Sequence, residues 1–181
     1  SPVLNSLTLT SPGNITRNIT SSRTATLTDP NDLFSLQSLQ HTLSENSQTY
    51  IYDYDGATRS FTSTTPAGHQ TVTQLDTLGR AVNINLAAGV DPIIKTYDIN
   101  GRIVQARQGV QQWNYGYDLS GRISSRTDAA NNALLYEYDN ADRVSSMTLA
   151  EGGVERYGYD ANGNQTRMTM PSGDIHTLAY S

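Results

Sequence analysis

The stretch YDLSGRI, Tyr117 to Ile123, returns along the chain in related forms. Close copies are YDINGRI at 97–103 and YDNADRV at 138–144, and looser copies are LDTLGRA at 75–81, YDANGNQ at 159–165 and YDGATRS at 54–60. The copies begin at 54, 75, 97, 117, 138 and 159, and Tyr180 closes the series. The chain of 181 residues therefore carries a repeat of about 21 residues, and such a period is the first guide to a fold.

Each copy keeps a few residue types at fixed positions. Aspartate is the second residue of all six copies, arginine follows it four residues later in five of them, and glycine precedes that position in four. The repeat positions that we expect to shape the structure are Tyr54, Asp55, Asp76, Gly79, Arg80, Tyr97, Asp98, Gly101, Arg102, Tyr117, Asp118, Gly121, Arg122, Tyr138, Asp139, Arg143, Tyr159, Asp160 and Gly163. Tyr-x-Tyr pairs such as Tyr115 and Tyr117 indicate strands, because residues two apart share a face and aromatic residues favour strands.

The spacing Asp-x-x-Gly is typical of a tight turn. Aspartate at the first position of a type I turn can bond its own backbone two residues on, and glycine at the fourth takes the positive φ that closes a bulged hairpin. In YDLSGRI a three-residue bulged loop places Asp118 opposite Arg122 on one face and Tyr117 opposite Ile123 on the other. A two-residue loop without a bulge would separate the apolar pair, so we expect the bulged form and its cross-strand pairs.

A second turn signal follows most copies at about fourteen residues from their start. Its residues are Gly68, Gly89, Asn131, Gly152 and Gly173, with Gly109 earlier in the shortened repeat. Two turns and two strands fill the period. The sequence therefore predicts an all-β fold, a repetitive antiparallel β-hairpin meander in which each unit contacts its neighbours.

The chain also divides by the clarity of the repeat. Residues 50–181 form the regular array, and residues 1–49 are interpreted as degenerate β repeats, with LTLTSPGNITRNIT and TATLTDPNDLFSL each predicting strand, turn and strand. For residues 33–45 a helix is the alternative, because Leu33, Leu36 and Leu43 lie on one helical face and Asp29 with Pro30 resembles a helix start. The pattern is short and flanked by strands, which favours strand.

Composition excludes several classes of function. A net charge of −5 argues against nucleic acid, whose phosphates attract Lys and Arg. Cysteine is absent, which removes disulfides and thiolate chemistry. No apolar run reaches the ~20 residues of a membrane-spanning helix. The chain does not begin with Met and its start lacks a signal peptide, so we expect a piece of a longer chain with any targeting signal elsewhere.

The signals for catalysis or metal binding in the sequence are weak compared with the repeat. Paired carboxylates for glycoside hydrolysis need different environments around one bond, whereas the repeated aspartates occupy equivalent turn positions. His41, His69 and His176 have no acidic partner at ligand spacing, and DANGN at 160–164 and DPND at 29–32 are better explained as turns than as calcium loops. We therefore expect no enzyme activity, no cofactor and no metal.

The motif Tyr-Asp-x-x-Gly-Arg-(Ile/Val), repeated in phase from Tyr50 to Tyr180, resembles the YD repeats of bacterial Rhs proteins. Such repeats also occur in the C components of Tc insecticidal toxin complexes, in wall-associated proteins and in teneurins. The resemblance implies a curved sheet, a fragment of a spiral β-shell that encapsulates a C-terminal toxin or effector in a secreted or cell-surface bacterial protein. The self-cleaving core domain of relatives has no counterpart here, and its activity is not carried over.

This resemblance implies a non-enzymatic structural scaffold segment, whose partners are the rest of the parent shell and an enclosed toxin polypeptide. Unpaired strand edges would also invite self-association. The alternative is a carbohydrate- or cell-surface-binding module that uses exposed aromatic residues, because tyrosine rings present flat apolar faces with a polar rim. Trp113, the single tryptophan, is the first ring to test.

Overall fold

The computed structural model describes residues 3–13, 15–32 and 35–180, and within them it contains strands and turns but no helix. This confirms the all-β prediction. The chain divides into two units, Ser1–Ile94 and Lys95–Ser181, which are described separately. The predicted division at Tyr50 rests on the clarity of the repeat and not on this boundary, so it stays a prediction.

The first unit is an antiparallel meander in which each strand pairs with the strand before it. Its strands are β1 (Val3–Thr10), β2 (Thr16–Leu27), β3 (Leu36–Glu45), β4 (Gln48–Asp55), β5 (Ser60–Thr64), β6 (Gln70–Leu75) and β7 (Ala81–Asn85), and β8 (Ile93–Tyr97) begins in it. The strands β2 and β3 have 12 and 10 residues, against 5 for β5 and β7. The strands before Gln48 thus follow the same hairpin plan, and β2 and β3 are the longer ones.

The helix alternative for residues 33–45 is wrong over β3, and residues 33 and 34 lie outside the described residues. β3 pairs with β2 from Leu27 opposite Leu36 to Ile19 opposite Glu45. A helix would leave those backbone groups of β2 unpaired, which is costly. Asp29 begins a turn instead of a helix, because its carbonyl accepts a hydrogen bond from the N–H of Asp32 at 3.1 Å.

The second unit continues the same plan from Lys95, the third residue of β8. Its further strands are β9 (Ile103–Gln108), β10 (Gln111–Tyr117), β11 (Ile123–Asp128), β12 (Ala133–Tyr138), β13 (Val144–Thr148), β14 (Val154–Tyr159), β15 (Gln165–Thr169) and β16 (Ile175–Thr177). From β10 to β16 every strand is antiparallel to the one before it. The hairpin meander that the repeat predicts is confirmed.

The second turns also lie where the sequence places them. Each predicted turn residue has a φ between 56° and 92°: Gly68, Gly89, Gly109, Asn131, Gly152 and Gly173. L-residues with a Cβ seldom adopt this region, whereas glycine and asparagine tolerate it. The choice of residue at these positions is therefore explained by backbone conformation.

The strands of the second unit sort their residues onto two unlike faces. The pairings place one aromatic and aliphatic set on the same side of β10 to β15, which we call the aromatic face: Trp113, Tyr115, Tyr117, Leu134, Tyr136, Tyr138, Val144, Met147, Tyr157, Tyr159 and Met168. The opposite side carries mainly polar residues, among them Asn114, Ser125 and Arg167. The aromatic face is thus apolar enough to pack against another surface.

A chain of this length could bury a core, but the described residues contain none. Ser146, at 7% exposure, is the one buried residue among them, and no apolar side chain is buried. The rings of the aromatic face are half-buried. Local turn and cross-strand contacts therefore hold the described strands together.

Candidate functional site

The repeat turn has the bulged form that the sequence predicts. In the turn after β10, the N–H of Gly121 donates to the carbonyl of Asp118 at 3.0 Å, and the N–H of Asp118 donates to the carbonyl of Arg122 at 2.9 Å. Gly121 has a φ of 84°. Tyr117 lies opposite Ile123, with a register shift just before Tyr117. The predicted pairing of Tyr117 with Ile123 is confirmed.

Four of these turns are closed by a clamp between their aspartate and arginine. Oδ1 of Asp118 accepts the backbone N–H of Arg122 at 2.9 Å, and Oδ2 accepts Nε and Nη2 of the guanidinium, both at 2.7 Å. The same two-pronged ion pair occurs in Asp76–Arg80, Asp98–Arg102 and Asp139–Arg143. Both nitrogens of the guanidinium reach the same oxygen, while the other oxygen holds the backbone N–H, so each carboxylate ties the arginine side chain to the backbone of the turn.

Two of the departures from the motif keep the turn. Asn164 replaces the arginine, and its Nδ2 donates to Oδ2 of Asp160 at 2.9 Å while its N–H donates to Oδ1 at 2.8 Å. Asp142 replaces a glycine with a φ of 61°, and its carboxylate accepts Nη1 of Arg122 at 2.5 Å. Asparagine thus forms a neutral clamp, and Asp142 adds an exposed ion pair at a positive φ that aspartate tolerates better than most residues.

The turn of the first copy differs from the others. Tyr54 lies opposite Phe61 and Asp55 lies opposite Ser60, without the register shift, so the loop has four residues. Thr58 stands where other copies have glycine, and the positive φ moves on to Arg59, at 52°. Arg59 therefore lies within the loop instead of facing Asp55, contrary to what the motif predicts for its arginine.

A second contact joins neighbouring repeats, and the motif alone did not predict it. The guanidinium of Arg102 lies over the ring of Tyr117, 4.4 Å from its centroid, and the hydroxyl of Tyr117 donates to the carbonyl of Ile103 at 2.7 Å. The equivalent stacks are Arg122 on Tyr138 and Arg143 on Tyr159, at 4.4 and 4.5 Å, with hydroxyl bonds to Ile123 and Val144. Each of these three arginines thus holds its own aspartate and the tyrosine of the next repeat.

These contacts keep the turn carboxylates ionised. The backbone N–H of Arg102 and then its side chain lower the pKa of Asp98, against an opposing effect of partial burial. For Asp118, burial raises the pKa, but the hydrogen bonds from Arg122 outweigh it and the net shift is downward. The pKa is likewise lowered in Asp76, Asp139 and Asp160. Carboxylates that are held ionised by their own turn suit a structural role and not proton transfer.

Two further features lie on the aromatic face. The hydroxyl of Tyr157 donates to Oε2 of Glu155 at 2.6 Å, and burial followed by this bond raises the pKa of Tyr157 to about 12. The guanidinium of Arg126 lies 3.7 Å from the ring centroid of Trp113, on the opposite strand of the same hairpin. A cavity of about 300 Å³ adjoins Trp113 between Gln112 and Asp128.

The described ranges hold neither a cluster of metal ligands nor a helix that could span a membrane. Among those residues no three His, Asp or Glu side chains come together as metal ligands. His41 contacts Ser21, whose hydroxyl lies 2.9 Å from Nε2. The part of the chain that the structure describes holds no helix long and apolar enough to cross a membrane.

The chain matches the sequence model of a known protein family. The sequence model described as Teneurin YD-shell matches residues 8–181, nearly the whole chain. No curated protein matches the sequence.

Proposed function

Because the chain belongs to the Teneurin YD-shell family, we propose that it is a non-enzymatic wall segment of a β-sheet shell that encloses a C-terminal toxin or effector polypeptide. The observation that carries the proposal is the repeating contact of one arginine with its own aspartate and with the next tyrosine. This contact extends a sheet by one hairpin at a time. Such nearest-neighbour bonding suits a wall of many repeats.

The aromatic face supports an enclosed partner. Its rings stay half-exposed in the chain alone, and apolar rings gain from being covered by another polypeptide. The opposite face is polar, which suits solvent. We propose that the partners are the rest of the parent shell and the enclosed polypeptide, and that strand edges also allow association between copies. We propose that the parent protein is secreted from a bacterial cell or lies on its surface.

The proposal of a purely structural role is supported by how the aspartates are used. In the clamped turns both carboxylate oxygens accept hydrogen bonds from the turn itself, as in Asp118. A general acid or base must instead face a substrate with a suitable pKa. We also propose that the chain divides into a segment of degenerate repeats, residues 1–49, and a YD-repeat array, residues 50–181.

The test is site-specific crosslinking in the parent protein. A photoreactive amino acid placed at Tyr136, on the aromatic face, is expected to crosslink to a segment outside the repeat array. The matched control is Leu135, which is 47% exposed on the opposite face of the same strand. Crosslinks at both positions alike, or at Leu135 alone, would show that the aromatic face does not line an interior.

Carbohydrate binding is a second candidate, and one observation favours it. The cavity beside Trp113 places a ring next to the polar side chains of Gln112 and Asp128, which is the combination that sugar sites use. A glycan array with the wild-type chain and with Trp113→Leu tests it. Hits that vanish in the variant would support binding, and an array without hits would end this alternative.

A further inference from the structure

The strongest unassigned feature is a cavity on the first unit, away from the repeat turns. Its volume is about 490 Å³ and its lining is mainly apolar. It is lined by Arg23 of β2, by Leu39, His41 and Leu43 of β3, by Tyr52 of β4 and by Phe61 of β5. Cavities of this size with a few polar groups among apolar ones are typical of small-molecule sites.

The strand register explains why these residues converge. Arg23 lies opposite His41, which lies opposite Tyr52, so the three side chains form one row across β2 to β4. Leu39 and Leu43 stand two residues to either side of His41 and share its face. The cavity is therefore built by four adjacent strands and not by a flexible loop.

Stacked rings form one wall of the cavity. The ring centroids of His41 and Tyr52 are 5.8 Å apart with an interplanar angle of 28°, and those of Tyr52 and Phe61 are 6.4 Å apart at 26°. The contact of His41 Nε2 with Ser21, at 2.9 Å, fixes the first ring. The exposed parts of Tyr52 and Phe61, which line the cavity, offer an apolar surface against which another aromatic ring can pack.

The charge at the cavity points to an anion. Arg23 is exposed, and no ion pair of its guanidinium is found within the described residues. The nearest carboxylate along β3 is Glu45, which forms an ion pair with Arg17 at 2.5 Å and lies four residues, roughly 13 Å, from His41. Arg23 therefore presents a guanidinium fork, whose geometry matches a carboxylate.

We propose that this cavity binds a small aromatic carboxylate, with its ring against Tyr52 and Phe61 and its carboxylate on Arg23. A neutral sugar would leave the guanidinium without an anionic partner and would place its hydroxyls against Leu39 and Leu43. The proposal does not depend on the wall function of the repeats, because it concerns residues outside the clamped turns.

The test uses 3-phenylpropionate as the probe and 3-phenylpropionamide as its neutral counterpart. Titration calorimetry of the whole chain is expected to show binding of the carboxylate and affinity at least about tenfold lower for the amide, the loss expected for one charge-assisted hydrogen bond. In Arg23→Gln the carboxylate should bind as weakly as the amide. Arg107→Gln, which alters an exposed arginine of the second unit, is the matched control and should leave binding unchanged.

A second variant separates the ring contact from the charge. Tyr52→Leu keeps Arg23 and an apolar side chain at this position but removes the central ring, and it should weaken both probes alike. Circular dichroism with an unchanged strand signal establishes that each variant is folded. Equal affinity for acid and amide, unchanged binding in Arg23→Gln, or no binding at millimolar probe would overturn the proposal. Binding of methyl glucoside, or of a peptide ending in Phe, without binding of 3-phenylpropionate would overturn it equally.

Discussion

Replacing Tyr138 by Phe removes one hydroxyl from the contact between two repeats and leaves the ring in place. That hydroxyl donates to the carbonyl of Ile123 at 2.7 Å, and the ring still lies 4.4 Å from the guanidinium of Arg122. Tyr136 is two residues earlier on the same face, and no hydrogen bond of its hydroxyl occurs within the described residues. The substitution Tyr136→Phe is therefore a matched control in which the same atom is removed without a bond.

The expected loss follows from the bond that is removed. One net hydrogen bond contributes about 0.5–1.5 kcal/mol to the free energy of unfolding. For a chain of this length, each kcal/mol corresponds to roughly 2–4 °C in Tm. The triple variant at Tyr117, Tyr138 and Tyr159 should lose about 3 kcal/mol if the repeats contribute independently. The control should change by less than about 0.5 kcal/mol.

Urea denaturation followed by circular dichroism measures both variants. Tyr138→Phe should lower the midpoint with an unchanged slope, and Tyr136→Phe should leave the midpoint unchanged. Equal losses in the two variants would refute the reasoning, because the removed bond would then contribute nothing. A triple variant as stable as the wild type would refute it more strongly.

Three further outcomes follow from the turns and the aromatic face. Acid should destabilise the chain, because the turn aspartates have a lowered pKa in the folded state. Their contribution to stability is complete above the pKa of about 4 that aspartate has in the unfolded chain, and it is lost as the pH falls through the lower pKa values of the folded state. A urea midpoint that stays flat down to pH 2 would contradict this, and 1 M salt should reduce the effect. Gly163→Ala should cost about 1 kcal/mol of unfolding free energy, because its φ is 88° while an added Cβ meets nothing within 4 Å. Asn131→Gly, at a φ of 66°, should cost nothing. Thermal melts in which Asn131→Gly is the less stable variant would contradict this prediction. Ultraviolet titration should show one tyrosine, Tyr157, ionising with a pKa of about 12. Glu155→Gln should lower that pKa only in part, because the burial of Tyr157 remains. An unchanged titration in the variant would exclude Glu155 as a cause of the raised pKa.

The hairpins and their register could be predicted from the sequence because they depend on local chemistry. A turn that needs a positive φ selects glycine or asparagine, and a pleated strand places Tyr117 and Ile123 on one face. These constraints act within about ten residues, so a single copy of the motif shows them. The bulged turn of YDLSGRI is the clearest example.

The stacks between repeats could not be predicted in the same way. Arg102 and Tyr117 belong to different copies of the motif, and periodicity reveals that both recur without revealing that they touch. Their contact depends on which turns the pairing of the strands brings side by side. The exception at Tyr54 has a local cause, since Thr58 in place of glycine moved the positive φ to Arg59.

The missing core has a different origin. Chain length sets how much apolar surface a compact domain could bury, but it does not establish that a second layer is present. The cavity of the first unit at Tyr52 and Phe61 could not be predicted from the sequence either. Its residues come from four strands whose register is set by long-range pairing.

The central claim is that Arg102, Arg122 and Arg143 each join their own turn to the next repeat, and a double-mutant cycle tests it most directly. The unfolding free energies of Arg122→Gln, Tyr138→Leu and the double variant are compared with those of a second cycle, Arg122→Gln with Tyr159→Leu. We expect the first double variant to lose less than the sum of its single losses, because both changes remove the same stack. The second cycle should be additive, since Tyr159 contacts Arg143. Additivity in the first cycle would contradict the account.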